Sequence, residues 1–408
     1  MSIANGRARA ALARAGIILP VFVLGHFSHH VVVGAINPLL PRLRDEMGLD
    51  YSSAGLLISA FTFTYAIMQV PAASLGNWIS RRKVVAWGLV GTGAAGMLMG
   101  LVGGFWEIAI LLVAIGFFGS TYHALASAFL SITFGKEHRG RSLGLHTVGG
   151  SASLFVTPAL AVGIAGAFDS WRAAYVVLGA LPIAAGLLLL VAARREEAAH
   201  TKAAAAAAGE RVPVREIARL IGLLVLIAMV AAMLSMSVNS FLPLYMVDKH
   251  GVDRDTAGVL LGLVFGGGVI GAPVGGALSD RFGRRPIILA SLLAAGPVLY
   301  LLTLLPFGWA FLIAMFVYGL ILSMRMPVME SVIADVVPLA QRGTALGVYF
   351  FLSQETAAVA TPVVGWLMDV YGADPTFVGL AVVGIVAGAL ALLIRGGEPA
   401  RRRSPSRL

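Results

Sequence analysis

Twelve apolar runs, each long enough to cross a bilayer, constrain this chain more than any other feature. They cover approximately residues 15–41, 53–75, 84–103, 106–134, 142–166, 172–193, 217–246, 256–278, 286–304, 308–336, 343–368 and 374–394. A helix needs about 20 apolar residues to span the hydrocarbon core. The runs are continuous and do not alternate with period two, so they read as helices and not as barrel strands. The expected fold class is therefore all-α and integral to the membrane, with twelve transmembrane helices. Nothing between the runs is long enough for a soluble catalytic domain.

Composition closes the other routes. Charged residues make up 12% of the chain and hydrophobic residues 58%, against about a quarter charged in a soluble domain. That leaves too little polar surface for a soluble fold, a coiled coil, a disordered chain or a nucleic-acid partner. There is no cysteine, hence no disulfide, thiolate metal site or thiol nucleophile.

The net charge of +10 reads as an orientation label. With both termini placed inside, only Arg42, Arg44, Arg172, Lys249 and Arg254 of the 30 Lys and Arg fall outside, and Arg325 is left within a span. Basic residues collect in cytoplasmic loops, so both termini are expected in the cytoplasm, with the chain multi-pass in the cell (inner) membrane. The run from Ile17 continues for span length and reads as an uncleaved first span.

An internal repeat divides the chain. His138-Arg139-Gly140-Arg141-Ser142-Leu143-Gly144-Leu145 opens the fifth span, and Gln341-Arg342-Gly343-Thr344-Ala345-Leu346-Gly347-Val348 opens the eleventh, 203 residues later. The spacing predicts a cytoplasmic N-tail (1–14), an N-terminal six-helix bundle (15–193), a cytoplasmic linker (194–216), a C-terminal six-helix bundle (217–395) and a basic C-tail (396–408). Parallel repeats of this kind place a solute site at the interface of the halves.

The turn Gly276-Ala277-Leu278-Ser279-Asp280-Arg281-Phe282-Gly283-Arg284-Arg285 resembles the loop signature of the major facilitator superfamily. The corresponding first-half turn, Gly76 to Lys83, has Ser80 in place of the acid. The resemblance spans about residues 15–395. It implies two pseudo-symmetric bundles that rock around a central site, with Gly276, Asp280, Arg281, Gly283, Arg284, Arg285 and Arg342 as the gating loop. In that reading Gly276 permits close helix approach, and Asp280 caps or pairs with the start of helix eleven, where Arg342 lies. A narrower likeness to the fosmidomycin-resistance branch rests on His26 with Asn37, Tyr122-His123 and the stretch from His146 to Gly150.

Charges inside the bilayer cost several kcal/mol unless paired or hydrated, so each is a functional candidate. Arg325 in span ten and Glu355 in span eleven are set at matching depth. Either Arg325 binds an anionic solute and Glu355 carries a coupling proton, or the two form a static pair. Glu330, nearer the cytoplasm, is the second proton-coupling candidate, with a gate or loop contact as its other reading. His26, His30, Val33 and Asn37 follow helical spacing and form one stripe, with His29 beside it. Hydrogen bonding, proton relay, packing and a metal site are the readings of that stripe; with no carboxylate or cysteine nearby, no metal is expected. Tyr122, which the repeat offset sets opposite Arg325, together with His123, Tyr65, Gln69 and Gln354, completes the expected solute-binding set.

The expected function is secondary active transport of a small organic, anionic or amphipathic solute or drug by alternating access. Protons are the coupling ion and export is slightly favoured. No nucleotide-binding loop is legible. No cofactor, enzymatic activity or nucleic-acid partner is expected, and the protein should work as a monomer in the lipid bilayer. Uptake of a carboxylate or metabolite, and a non-transporting receptor or assembly protein of the same fold, remain alternatives.

Overall fold

The computed structural model describes residues 2–76, 78–192, 213–337 and 342–392. The linker over residues 193–212 and the C-tail beyond residue 392 lie outside them. In chain order the helices are α1 (Ser2–Val33), α2 (Ile36–Met47), α3 (Tyr51–Leu75), α4 (Arg81–Leu98), α5 (Phe105–Gly119), α6 (Tyr122–Thr133), α7 (Gly135–Ala167) and α8 (Trp171–Ala192), then α9 (Val214–His250), α10 (Arg254–Leu260), α11 (Gly262–Phe282), α12 (Arg284–Leu304), α13 (Trp309–Val336), α14 (Arg342–Tyr371) and α15 (Ala373–Ala391). Three of the sequence runs are broken helices: α1–α2, α5–α6 and α10–α11 each make one span. Twelve crossings result. α1 starts at Ser2, so the stretch expected as a tail continues the first helix.

Among the described residues eleven spans are long and apolar enough to cross a membrane. The twelfth, α14, is thirty residues long, but Ser353, Gln354, Glu355 and Thr356 interrupt its apolar run. It packs along α3 and α9. Polar residues are tolerated at membrane depth where protein or water covers them.

The two ends of the molecule differ. One end, the terminal face, carries the start of α1, the α3–α4 turn and the start of α9. The opposite end, the distal face, carries the turns at Gly48 and Gly251. Toward the distal face one apolar core runs through both halves of the chain, with Leu39, Leu57, Trp171, Phe241, Tyr245, Phe311 and Phe377 buried in it. Toward the terminal face the core divides. Ile18, Phe22, Leu89, Phe129 and Leu189 form one cluster, and Ile221, Ile288, Val328, Met329 and Tyr349 form another. The halves are therefore joined distally and parted terminally.

Lipid tails are as apolar as leucine, so close backbone contact does the work of holding membrane helices together. α11 lies against α13 through Gly267, Gly271 and Gly275, one helical turn apart. A Cβ on them would stand 2.1 Å from Phe316 O, 2.2 Å from Leu320 O and 2.1 Å from Met324 O. Gly276, expected as the close-contact glycine, has nothing within 4 Å of its would-be Cβ. The contact belongs to its neighbour Gly275, because only that register faces α13. Gly271→Ala should accordingly abolish the monodisperse peak in size-exclusion chromatography, since the blocking atom is backbone and cannot rotate away. Gly276→Ala should elute as the parent protein does.

Candidate functional site

The residues expected to meet at the centre fall into two groups, one in each half. In the first half, His26, His29 and His30 of α1, Tyr65 of α3, Tyr122 and His123 of α6 and His146 of α7 make one aromatic cluster. His26 stacks on His146 at 4.3 Å between ring centroids and lies 5.0 Å from both His30 and His123. His30 and His123 are 5.2 Å apart. The broken spans position it. α1 ends three residues after His30, and α6 begins at Tyr122, just after the break at Ser120 and Thr121.

A chain of hydrogen bonds fixes the protons of this group. Tyr122 donates its hydroxyl proton to Phe22 O at 2.6 Å. A phenol has one proton, so its 3.2 Å contact with His146 Nε2 requires His146 to donate from Nε2. His26 Nδ1 donates to His146 O at 2.8 Å, which leaves His26 Nε2 as a bare acceptor. That atom, and both ring nitrogens of His29, are buried without a hydrogen-bond partner.

Several expectations change here. The stripe from His26 to Asn37 is cut, because Gly34 and Ala35 separate α1 from α2. Asn37 lies past that break, buried at 9% exposure with its side-chain oxygen unpartnered. His29 does not flank an open stripe: it is fully buried, stacked on Tyr122. Tyr122 commits its hydroxyl inside the bundle, so it backs the cluster, while His30 and His123 are its part-exposed members. Gln69 is part-exposed on α3, one turn beyond the buried Tyr65. His146, which is not among the expected solute-binding residues, belongs to the cluster. It lies 120 residues from His26, a separation over which helical spacing gives no signal.

In the second half, Arg325 of α13 is 5% exposed. Among the described residues no carboxylate lies within ion-pair distance of it. Its Nη1 reaches only Met329 Sδ at 3.9 Å, and its Nε has no partner. Glu355 of α14 is part-exposed, and one of its carboxyl oxygens is buried and unpartnered. The static pair that is one reading of these two charges is thus not formed. Matching depth on neighbouring helices is not sufficient for contact when the rotation of each helix is set by other packing. Tyr318 and Tyr349, both buried, are the titratable neighbours of Arg325, and Tyr349 also feels Glu330. Gln354 is part-exposed beside Glu355.

The gating turn is helical through Phe282. Gly283 has φ +89°, a left-handed conformation that favours glycine, and hands over to α12. Asp280 and Arg281 are exposed, Arg281 resting on the Phe282 ring. Arg284 follows at the start of α12, and Arg285 reaches Leu392 O at 3.4 Å. The side chain of Arg342 lies outside the described residues, so its pairing with Asp280 does too. In the first-half turn, Ser80 accepts from Lys83 N and caps α4, a role that an acid at that position also fills.

A distal ion-pair network was not anticipated. Arg42 donates to both oxygens of Asp255 at 2.6 Å and to Asp169 at 3.1 Å. Arg44 forks onto Asp248 at 2.5 and 2.6 Å, and Tyr51 donates to the same carboxylate. Arg254 meets Asp45 at 3.2 Å. Asp369 receives the backbone N–H groups of Tyr51 and Ser52 at the start of α3, where a helix end favours an anion. All of these except Arg42–Asp169 join the two halves. Beneath them Ser59 donates to Ala358 O at 2.6 Å. Would-be Cβ atoms on Gly55, Gly258 and Gly365 stand 2.8 Å from Pro362 Cα, 2.4 Å from Pro38 O and 2.3 Å from Tyr51 O. Arg172–Glu46 and Lys249–Asp374 complete the set within the halves.

The sequence pattern of the Major Facilitator Superfamily matches residues 22–225 and again residues 224–408. A probable sulfoacetate transporter of Cupriavidus necator is 26% identical over 304 residues, covering 70% of this chain and 69% of the relative. The fosmidomycin resistance protein of Escherichia coli is 22% identical over 378 residues, 90% of each chain. A crystal structure of a bacterial homolog of the human lysosomal transporter Spinster, inward-facing and unoccupied, superposes with a TM-score of 0.76 over 93% of this chain and 96% of that one, at 16% identity.

Proposed function

The chain belongs to the Major Facilitator Superfamily, and from that we propose that it exports a small organic anion in exchange for protons. It is a multi-pass membrane transporter of a solute, not an enzyme. The observation that carries the finer reading is Arg325, buried in the second half with no carboxylate partner among the described residues. A buried guanidinium without a counter-charge is unfavourable, and an anion entering from the parted side would supply one. A relative named for an organic anion supports the same class.

In this reading the terminal face is cytoplasmic, as the basic loops suggest, and the arrangement described is the inward-open state. Solute enters between the bundles and meets Arg325, with Gln354, Gln69, His30 and His123 as lining residues. Glu355 carries the proton, with Glu330 nearer the exit. Exchange follows in this reading if anion on Arg325 and proton on Glu355 are bound in different states of the cycle, so that each ligand shifts the balance that the other meets.

Proteoliposomes with an imposed pH gradient test this. Glu355→Gln should lose gradient-driven accumulation of anion while solute counterflow continues. Gradient-driven transport at the parent rate in that variant would remove Glu355 from the coupling role. The sign of the gradient that drives accumulation gives the direction.

A further inference from the structure

Three imidazoles of the first half come together in a way that packing does not require. One ring nitrogen each from His26, His30 and His123 lies within 4.8 Å of the other two. A tetrahedral centre with metal–nitrogen bonds of about 2.0–2.1 Å holds its nitrogens roughly 3.4 Å apart. Small rotations of His30 and His123, the two part-exposed members, close that gap.

His26 is already set. Its Nδ1 proton is held by His146 O, so Nε2 presents its lone pair. An imidazole that donates its other N–H to a carbonyl is the arrangement that orients histidine ligands. His26 is 6% exposed and its Nε2 is buried without a partner. Gly150 makes room along that ring edge, since a Cβ there would stand 2.6 Å from both Cε1 and Nε2. A ring locked by one nitrogen, with the other buried, bare and beside two more imidazoles, is built for a ligand.

We propose that His26 Nε2, His30 and His123 bind one divalent first-row transition cation, with Zn2+ as the best-fitting ion. Three neutral nitrogens suit zinc, copper, nickel or iron and not calcium or magnesium, which take oxygen donors. The neutral set leaves the cation's charge uncompensated and its fourth position open toward the space between the halves, where water or an anionic group completes it. His29, behind Tyr122, is not a ligand. The site concerns binding alone and does not rest on the transport reading.

The full chain, purified without a polyhistidine tag and stripped with a chelator, is titrated with Co2+ and with Zn2+ against a chromophoric competitor. One Zn2+ per chain is expected, with the visible d–d absorption of tetrahedral Co2+. His30→Gln and His123→Gln should each weaken Zn2+ by at least about tenfold, the scale on which altered metal shells act. Gly150→Ala, which moves the His26 ring without removing a donor, should weaken it as well, and His250→Gln at the distal face should not. Absence of the Co2+ spectrum, or Zn2+ affinity unchanged in both His30→Gln and His123→Gln, overturns the site. His26→Ala is not needed for the decision, so a folding defect there leaves the test intact.

Discussion

Arg325→Met should make the solute-free protein more stable and the solute-binding protein nearly blind to its anion. The two halves of that expectation have one cause. Arg325 is 5% exposed, and no described carboxylate lies within ion-pair reach. A charge held this way weakens the empty state, and exchanging it for an apolar side chain of similar length removes the penalty. Charge-assisted hydrogen bonds contribute about 1.5–3 kcal/mol each, so loss of one or two lowers anion affinity on the order of 10- to 10,000-fold. Thermal unfolding reads both effects: the midpoint rises without solute, and the solute-induced shift disappears. Arg325→Lys keeps the charge without the fork and should recover part of the shift. A lowered midpoint together with a full anion shift in the Met variant would show that Arg325 is structural.

The second large effect concerns the distal face. Arg42→Ala combined with Asp255→Ala removes both ends of a fork that joins the halves and strands no buried charge. The Arg42 side chain is 10% exposed and that of Asp255 32%, so the pair is screened only in part. Its loss should shift the balance between distally closed and distally open states by about 2 kcal/mol, roughly thirtyfold. The chain has no cysteine, so a single Ser59→Cys reports the opening. Ser59 sits under the network at the joint, and its alkylation by a membrane-impermeant maleimide should speed up by about that factor. Unchanged labelling would mean that the apolar core alone holds the distal side shut.

The membrane architecture was legible because it depends on run length and on the scarcity of charge, which are properties of the sequence itself. Arg325 and Glu355 stood out for the same reason. Their separation did not, because whether two side chains touch depends on helix rotation, and the Gly267–Gly271–Gly275 ladder of α11 sets the rotation of α13. The pairing of His26 with His30 could be read from helical spacing. The arrival of His123 from α6 and of His146 from α7 could not, since it needs three helices in place. The distal network was hidden for a related reason. Arg42 and Asp255 are 213 residues apart, and all five cations first read as stray outside charges each hold a carboxylate. Three of them, Arg42, Arg44 and Arg254, fasten the halves together.

The joint itself says how such a machine avoids seizing. In the proposed cycle the two halves must part, and wide interlocked apolar surfaces would oppose that. Here much of what touches is thin: Gly55, Gly258 and Gly365 bring bare backbone against backbone, and the rim is sealed by charges that water can take over. Little side-chain volume interlocks across these glycines, so little has to be unpicked. At these three glycines the closure resembles a press-stud more than a weld, with small backbone contacts acting at once beside the deeper apolar core.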